Sequence, residues 1–272
     1  MHLVEERLSQ ELVENWSRQW RLWDRLHFTP EFKRKTHEGF IAKFGFDPKD
    51  PTAAAMAVLD AGCGNGRNAA LFADTQHRLW AVDLSRSVEY ARRNVPARNV
   101  AFARSDLHNL PFPDGFFDVV FSDGVLIHVP DIARAIGCLA EKVKPGGTLA
   151  LAMAKAFSDS NVQALRHERI IEFYRRFTVR MPAPVLRGTV ALLSSLYHLR
   201  HLPILGRFMV YLVPEWHADS EWRKCYIHDY LSAVYRERQD PQRITAILRD
   251  LGFSEIRLAD SHEIRIRAIK PR

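Results

Sequence analysis

Residues 57–73 read AVLDAGCGNGRNAALFA, and this stretch decides how the rest of the chain is interpreted. The first three residues are apolar and predict a short buried strand, which Asp60 follows. A helix is expected to begin at Arg67. Glycine lets a ligand approach the backbone, and the unpaired N–H groups of a helix N-terminus point toward such a ligand. The stretch therefore predicts a cradle for an anionic or strongly polar ligand, formed by a turn of three glycines, Gly62, Gly64 and Gly66.

The spacing of these glycines distinguishes the turn from a dinucleotide-binding fingerprint. That fingerprint is G-x-G-x-x-G, whereas this chain has G-x-G-x-G. A second strand-like run, residues 79–82, ends at Asp83. An acidic residue at that place can accept hydrogen bonds from both hydroxyls of a ribose. The alternative is a glycine turn that binds no ligand.

The run D-A-G-C-G-N-G-R at residues 60–67 resembles motif I of the class I S-adenosylmethionine-dependent methyltransferases. Asp83, at the end of the second predicted strand, resembles the acidic residue that accompanies motif I in that family. The K-P-G-G turn at residues 144–147 is another mark of that family. The run L-I-H-V-P-D at residues 126–131 is similar to the corresponding run in the methyltransferase type 11 branch of the family, which includes quinone C-methyltransferases. The resemblance covers residues 53–155 and 240–270.

The resemblance implies an α/β fold of Rossmann-like type. Its sheet has seven mostly parallel strands, and the last strand is antiparallel. We expect N-terminal helices and a helical insertion after the fifth strand. The expected domains are a helical lid at 1–50, the cofactor-binding core at 51–155, a helical substrate-binding cap at 156–240, and a C-terminal helix and strand pair at 241–272 that completes the core.

The resemblance also implies S-adenosylmethionine as cofactor and S-adenosylhomocysteine as product. Asp106 matches the residue that contacts the adenine amino group in the family, although without the resemblance it is only a loop aspartate. Residues 122–124 match the fourth motif, near the methionine end. The expected cofactor contacts are Asp60, Gly62, Cys63, Gly64, Asn65, Gly66, Asp83, Leu84, Ser105, Asp106, Leu107, Ser122 and Asp123.

Three histidines are candidates for a general base: His128, His217 and His228. His128 lies in the L-I-H-V-P-D run, where the alternative role is to support the loop. The other two lie in a segment dense in aromatic and titratable residues, where packing is the alternative. In-line methyl displacement needs positioning and sometimes one base, with no metal and no covalent enzyme intermediate.

Composition limits the class of protein. The chain has 272 residues, of which 47% are hydrophobic, so it can bury a substantial core. Its three cysteines are scattered without metal-ligand spacing, which favours a reduced, cytoplasmic setting. Glu5, Glu6 and Arg7 occupy the place where a signal peptide needs an apolar stretch, so secretion is not expected.

The positive charge is concentrated in one segment. Residues 155–212 hold nine Lys or Arg and three Asp or Glu, which accounts for +6 of the net charge of +7. Arginines interrupt the apolar run at residues 185–213, which argues against a transmembrane helix because a central arginine costs about 2.5–3.5 kcal/mol. The segment is read as a helical cap, as a pocket or peripheral membrane contact for a lipophilic substrate, or as a polyanion footprint.

These observations predict methyl transfer to a small or lipophilic metabolite, with oxygen preferred to carbon or nitrogen as the acceptor atom. One alternative is an RNA methyltransferase that uses the basic insertion. Nucleic acid is not expected, because the arginines are interspersed among aliphatic residues and no known RNA-binding module is recognisable. The other alternative is a homologue that binds the cofactor without transferring a methyl group. The sequence identifies neither the methyl acceptor nor the oligomeric state.

Overall fold

One sheet of seven strands organises the residues that the computed structural model describes, which are 2–158, 160–202, 206, 213, 217–259 and 263–272. The strand order is β3-β2-β1-β4-β5-β7-β6. Strands β1 to β5 pair in parallel, and β7 is antiparallel to both β5 and β6, which confirms the expected fold class. The strands are β1 (Ala57–Ala61), β2 (Arg78–Asp83), β3 (Val100–Arg104), β4 (Phe117–Asp123), β5 (Val143–Ala154), β6 (Ser254–Ala259) and β7 (Glu263–Ile269).

Helices surround this sheet or lie in the insertion. The α-helices described are α1 (His2–Leu22), α2 (Pro30–Phe44), α3 (Ser87–Asn94), α4 (Ile132–Lys142), α5 (Val162–Thr178), α6 (Ala183–Ser195), α7 (Ser220–Ser232) and α8 (Pro241–Asp250). Short 3-10 helices are found at Leu26–Phe28, Ala69–Leu71, Leu126–His128 and Leu196–His201. The expected turn at Asp260 and Ser261 lies outside the described residues.

The chain divides into two compact units. The core unit comprises Trp16–Ala156 and Tyr235–Arg272, and it contains the whole sheet. The insertion unit comprises residues 2–15 and Phe157–Val234. The roles expected for the N-terminal segment as a lid and for the insertion as a substrate cap stay predictions.

The inner strands β1 and β4 and the second half of β5 are buried on both faces of the sheet, as their apolar runs predict for parallel strands, whereas the edge strand β6 is largely exposed. Side chains alternate along β1, so Val58 and Leu59 enter two different hydrophobic clusters, and both are fully buried. Aromatic residues of α2 complete the cluster that contains Val58. The ring of Phe40 lies 5.1 Å from that of Phe121 and 5.7 Å from that of Phe72. Helix α2 is therefore an integral part of the core unit.

Capping residues set several helix boundaries as the sequence predicts. The Thr29 hydroxyl accepts a hydrogen bond from the Phe32 N–H at the start of α2. The Asp131 carboxylate accepts one from the Arg134 N–H at the start of α4. Gly252 follows α8 with φ of +81°, the left-handed conformation that suits a residue after a helix.

The helix expected from Arg67 is wrong in extent, because only the 3-10 turn Ala69–Leu71 forms there. Side chains compete for the backbone groups that a longer helix would need. The Thr75 hydroxyl donates to the Phe72 carbonyl, and the Asn99 side-chain carbonyl accepts from the Asp74 N–H. The chain also re-enters the sheet at Arg78, which leaves no room for a full helix.

The insertion unit has its own small core. Buried apolar residues of α6 and α7 form it, among them Leu186, Val190 and Ile227. A buried arginine of α7, Arg223, stacks over the ring of Tyr197 at 4.0 Å. Its guanidinium also donates to the Ser194, His217 and Ala218 carbonyls, so its charge is dispersed over several acceptors.

Replacing Phe40 by alanine tests the assignment of α2 to the core. Phe40 is 2% exposed, so Phe40→Ala is expected to lower the free energy of unfolding in urea by about 3–5 kcal/mol. Phe173 is 61% exposed, so the control Phe173→Ala is expected to change it by less than about 0.5 kcal/mol. Equal effects of the two substitutions would contradict this packing.

Candidate cofactor site

Four carboxylates meet at one edge of the sheet, where parallel strands end. Asp60 lies near the end of β1, Asp83 ends β2, Asp106 follows β3, and Asp123 ends β4. The strand order reverses between β1 and β4, which have β2 on one side and β5 on the other. Open α/β sheets bind ligands outside the carboxyl ends of their strands at such a reversal. The expected site residues are therefore assembled at the position that the fold favours.

The glycine turn lies directly above this edge. Its three glycines have φ of +93°, +52° and +89°, which side-chain-bearing residues rarely adopt. A Cβ atom at Gly62 would overlap the side chain of Val125, and one at Gly64 would lie 3.0 Å from the Trp20 ring. Glycine is therefore required here both by backbone conformation and by close packing.

The first three amides of this turn are bonded within the protein. The N–H groups of Gly62 and Cys63 both donate to the Val82 carbonyl at 2.8 Å. The Gly64 N–H donates to Asp83 Oδ2 at 2.9 Å. These three N–H groups are therefore bonded to the end of β2. The N–H groups that the sequence expects to point at the ligand are those of a helix beginning at Arg67, where only the 3-10 turn Ala69–Leu71 forms. What the turn contributes is room beside the backbone.

Asp83 is held in a fixed orientation by its neighbours. Its Oδ1 accepts from the Ser85 N–H at 2.9 Å and from the Ser85 hydroxyl at 2.7 Å, while Oδ2 accepts from Gly64. A carboxylate has about four acceptor positions, so Oδ2 retains capacity for a further donor. An oriented carboxylate at this place suits a ribose hydroxyl.

Asp106 is paired with a histidine that the sequence interpretation missed. The Asp106 Oδ1 accepts from the backbone N–H of His108 and lies 2.9 Å from its Nδ1, while His108 Nε2 faces the Asp131 carbonyl at 3.1 Å. Their hydrogen bond raises the pKa of His108 and lowers the pKa of Asp106. Both ring nitrogens face acceptors, which favours the imidazolium. The spacing Asp-x-His was the available signal.

Asp123 is buried and surrounded by cations. Its Oδ1 lies 2.8 Å from Lys43 Nζ, and its Oδ2 lies 2.6 Å from Arg67 Nη2 and 3.1 Å from Asn68 Nδ2. Burial alone would raise the pKa of Asp123, but Arg67 and Lys43 outweigh it and hold that pKa at about 2. Lys43 also lies 3.5 Å from Glu263 of β7. Asp123 is therefore ionised, and its charge is balanced within the protein.

Asp60 differs from Asp123 in having no such partners. It is 1% exposed, and its Oδ2 is buried without a hydrogen-bond partner among the described residues. Burial raises the pKa of Asp60 well above its ordinary value, and the charge of Asp123 adds to the effect. A buried carboxylate in this condition is costly unless a cation or donor pairs with it. The ammonium group of a bound methionine moiety would supply that partner, so the residues present fit S-adenosylmethionine.

Three of the other expected contacts have structural partners. The Ser122 hydroxyl donates to the Ala61 carbonyl at 2.8 Å and ties β4 to β1. Burial raises the pKa of the Cys63 thiol well above its ordinary value, so Cys63 is neutral. Leu107 packs in the hydrophobic cluster that includes Leu59. Their expected contacts with the cofactor stay predictions.

The last group of expected contacts lies on loops around the site. The Asn65 side-chain nitrogen donates to the Asp24 carbonyl at 3.0 Å and to His27 Nδ1 at 2.9 Å. The Leu84 carbonyl accepts from the guanidinium of Arg104, and the Ser105 N–H donates to the Asp83 carbonyl. A cofactor contact by the amide nitrogen of Asn65 would have to replace these bonds.

The N-terminal segment is fastened to the glycine turn. Trp20 packs on Gly64, and the bonds of Asn65 hold residues 24–27 beside it. Burial and the charge of Arg67 lower the pKa of His27 well below its ordinary value, so its ring is neutral and can accept the Asn65 amide. The lining of the site therefore includes residues that come about forty positions before the motif.

His128 is the candidate base that belongs to the core unit. It ends the 3-10 helix Leu126–His128, and its Nδ1 lies 2.9 Å from the Tyr235 carbonyl. Because a carbonyl oxygen can only accept a hydrogen bond, the ring hydrogen of neutral His128 is on Nδ1, and the basic lone pair is on Nε2. Its ring also meets the ring of Trp16 edge-on at 4.5 Å. The arrangement supports the loop and is compatible with proton acceptance.

His217 and His228 belong to the insertion unit. His228 is buried in α7, and its Nδ1 lies 3.2 Å from the Ser232 hydroxyl. His217 is exposed, with its ring about 6 Å from those of Trp222 and Tyr226. Their candidacy as bases stays a prediction.

Two searches of the described part of the chain bear on other kinds of site. In it, no group of three or more His, Cys, Asp or Glu side chains is arranged to hold a metal ion. Among the same residues, no helix combines the length and the apolarity needed to cross a membrane.

The chain was compared with known proteins. Residues 59–151 match a family model described as a methyltransferase domain. The malonyl-[acyl-carrier protein] O-methyltransferase of Pectobacterium atrosepticum is 32% identical over 103 residues, which cover 38% of this chain and 40% of that protein. The sterol 24-C-methyltransferase of Neurospora crassa is 30% identical over 138 residues, which cover 47% of this chain and 35% of that protein. The chain thus spans well under half the length of these curated relatives.

Solved structures show a similar fold. Magnesium protoporphyrin IX methyltransferase from Synechocystis PCC 6803, solved with bound SAH, aligns with a TM-score of 0.54 at 15% identity, over 93% of this chain and 95% of that one. At this identity the likeness concerns the fold alone. The family match over the strands that carry Asp60, Asp83, Asp106 and Asp123, with the sheet order, is decisive. Residues 59–151 thus match the methyltransferase domain family, and the sheet has the strand order of the class I methyltransferase fold.

Proposed function

We propose that this protein transfers a methyl group from S-adenosylmethionine to an oxygen atom of a small or lipophilic molecule. The observation that carries the proposal is the state of two carboxylates at the edge of the sheet. There Asp60 is buried without a partner for Oδ2 among the described residues, while Asp83 is oriented beside the glycine turn. A ligand with a cationic group and a ribose would pair the cation with Asp60 and a ribose hydroxyl with Asp83. The family match over residues 59–151 supports the same cofactor.

Each carboxylate has a distinct proposed task. Asp60 pairs with the ammonium group, Asp83 accepts from the ribose, and Asp106 accepts from the adenine amino group. His108 orients Asp106 by occupying its Oδ1, which leaves Oδ2 for the ligand. When bound, the cofactor supplies a methyl group on a positively charged sulfur, which a nucleophile can attack in line. The protein's share of the work is to position the two reactants and to exclude water.

The acceptor class is inferred from the relatives. One is named as an O-methyltransferase of a malonyl group on an acyl carrier protein, and the other as a C-methyltransferase of a sterol. Both names describe acceptors with a long apolar or carrier-bound part. We favour oxygen because one of these relatives is named as an O-methyltransferase, and because His128 of the core unit is a candidate base for the proton of a hydroxyl acceptor.

The first test is of cofactor binding. Asp83→Asn removes the charge that receives the ribose hydroxyl while keeping the shape of the side chain. A hydrogen bond to a charged group contributes about 1.5–3 kcal/mol, so we expect S-adenosylhomocysteine to bind roughly 10–150-fold more weakly in calorimetry. The control Asp74→Asn, at an exposed position, should leave binding unchanged. Absence of binding by the wild-type protein would refute the proposal.

The second test concerns the pH dependence of the Asp106–His108 pair. Because the pKa of His108 is raised in the folded protein, its contribution to the stability of the folded state is complete below the ordinary histidine pKa of about 6.5. This contribution is lost as the pH rises through the raised pKa. The lowered pKa of Asp106 means that its stabilisation is present above about 3.9 and is lost as pH falls through the lowered value. The Asp106–His108 pair therefore contributes most to the free energy of unfolding between about pH 4 and 6.5.

The measurement is urea unfolding of the wild-type protein and His108→Gln across this range. The difference in their free energies of unfolding should be largest in the window and should shrink at higher pH. A difference that grows as pH rises above the window would show that the pair is not an ion pair of the kind described.

The third test asks whether His128 accepts a proton. With an acceptor found by transfer of a labelled methyl group, His128→Ala should lower kcat by about 10²–10⁴-fold and remove the acidic limb of the pH–rate profile. His217→Ala serves as the comparison. Product analysis by NMR reports whether the methyl group is on oxygen, carbon or nitrogen. Wild-type kcat in His128→Ala would leave positioning as the whole contribution of the protein.

A further inference from the structure

Exposed apolar side chains are concentrated in the insertion unit. Ten large apolar side chains are exposed among the described residues, and seven of them lie in that unit. Phe173 and Phe177 of α5 are among the most exposed of the seven, with 61% and 59% exposure. An apolar side chain exposed singly needs no explanation, but a group of them on one element marks an interaction surface.

Helix α5 presents these phenylalanines together with arginines on one face. Successive residues turn by about 100°, so the exposed residues of α5 other than Gln163 fall within an arc of about 100°. The opposite side holds the buried residues Ile171 and Thr178. We call this exposed arc the α5 face; its members are Val162, Arg166, Arg169, Phe173, Arg176 and Phe177.

The charge of the α5 face is of one sign. Its three arginines are exposed, and none has an acidic partner in the described part of the chain. Both acids of α5 lie outside the arc, and Glu172 is paired with Arg175. A cationic face without acids attracts an anionic surface, while paired charges would not.

The apolar and cationic groups are interleaved. The rings of Phe173 and Phe177 meet edge-on at 5.6 Å, so they form one apolar ridge beside Arg169 and Arg176. Helices that lie in the plane of a bilayer interface combine an apolar ridge with arginines that reach the headgroups. A nucleic acid would use the same arginines, but it offers no comparable environment for aliphatic groups such as the exposed Val162 and Leu192.

We propose that the α5 face docks on the surface of an anionic lipid bilayer. Phe173 and Phe177 enter the boundary between headgroups and acyl chains, and the arginines pair with lipid phosphates and acidic headgroups. The proposed contact is peripheral, made by one face of a helix that lies along the surface. This docking does not depend on the proposed methyl transfer, and it is measured without cofactor or acceptor.

The test is sedimentation of the full chain with vesicles of phosphatidylcholine alone or mixed with phosphatidylglycerol. We expect binding only to the anionic vesicles, and weaker binding as salt is raised. Arg169→Gln combined with Arg176→Gln should weaken binding about 30-fold, because each arginine near such a surface contributes about 1 kcal/mol. Phe173→Ser combined with Phe177→Ser should weaken it at least about tenfold.

Matched controls separate the α5 face from general basicity. Arg98→Gln combined with Arg249→Gln makes the same charge change at exposed positions of the core unit, and should alter vesicle binding by less than about twofold. Thermal unfolding should be unchanged in all these variants, since the side chains are exposed.

Three outcomes would overturn the proposal. The first is failure of the wild-type protein to bind anionic vesicles. The second is an equal loss for the core-unit control. The third is tighter binding to single-stranded oligouridylate than to vesicles, weakened by the arginine substitutions and unaffected by the phenylalanine ones, which would identify the face as a nucleic-acid surface.

Discussion

The balance of charge between two buried carboxylates is the constraint on which this site depends. Asp60 and Asp123 lie on the neighbouring strands β1 and β4, where like charges disfavour each other's ionised form. Arg67 and Lys43 resolve the conflict for Asp123 by direct ion pairs. Asp60 has no equivalent pair among the described residues, so its charge is left for a ligand. The protein thereby reserves one buried carboxylate for a cation at the edge of its sheet.

The same balance joins distant parts of the chain. Lys43 comes from α2, which phenylalanine packing holds in the core unit, and it also reaches Glu263 on β7. The residues around the glycine turn are fastened through Asn65 and Trp20. The segment before the first strand thus supplies Lys43 to the ion pairs of Asp123 and contacts the glycine turn through Trp20.

Local patterns were sufficient for much of the fold. Apolar and polar residues alternate at 254–259 and at 263–269, which is the pattern of β-strands, and these are the bounds of β6 and β7. Asp131 is a residue type that favours the N-cap position, and α4 begins directly after it. The Lys43–Asp123 pair spans 80 positions and has no local signature. The bonds that the amides of the glycine turn donate to Val82 and Asp83 have no local signature either, because these acceptors are on another strand. Tertiary contacts, which periodicity does not encode, account for both.

A crystal structure of the protein with S-adenosylhomocysteine tests the central claim most directly. The account predicts the ligand's ammonium group within about 3 Å of Asp60 Oδ2 and a ribose hydroxyl within about 3 Å of Asp83 Oδ2, the hydrogen-bonding range for such groups. Lys43 and Arg67 should keep their pairs with Asp123. A ligand bound at this edge while Asp60 Oδ2 stays without a partner, or bound elsewhere on the protein, would contradict it.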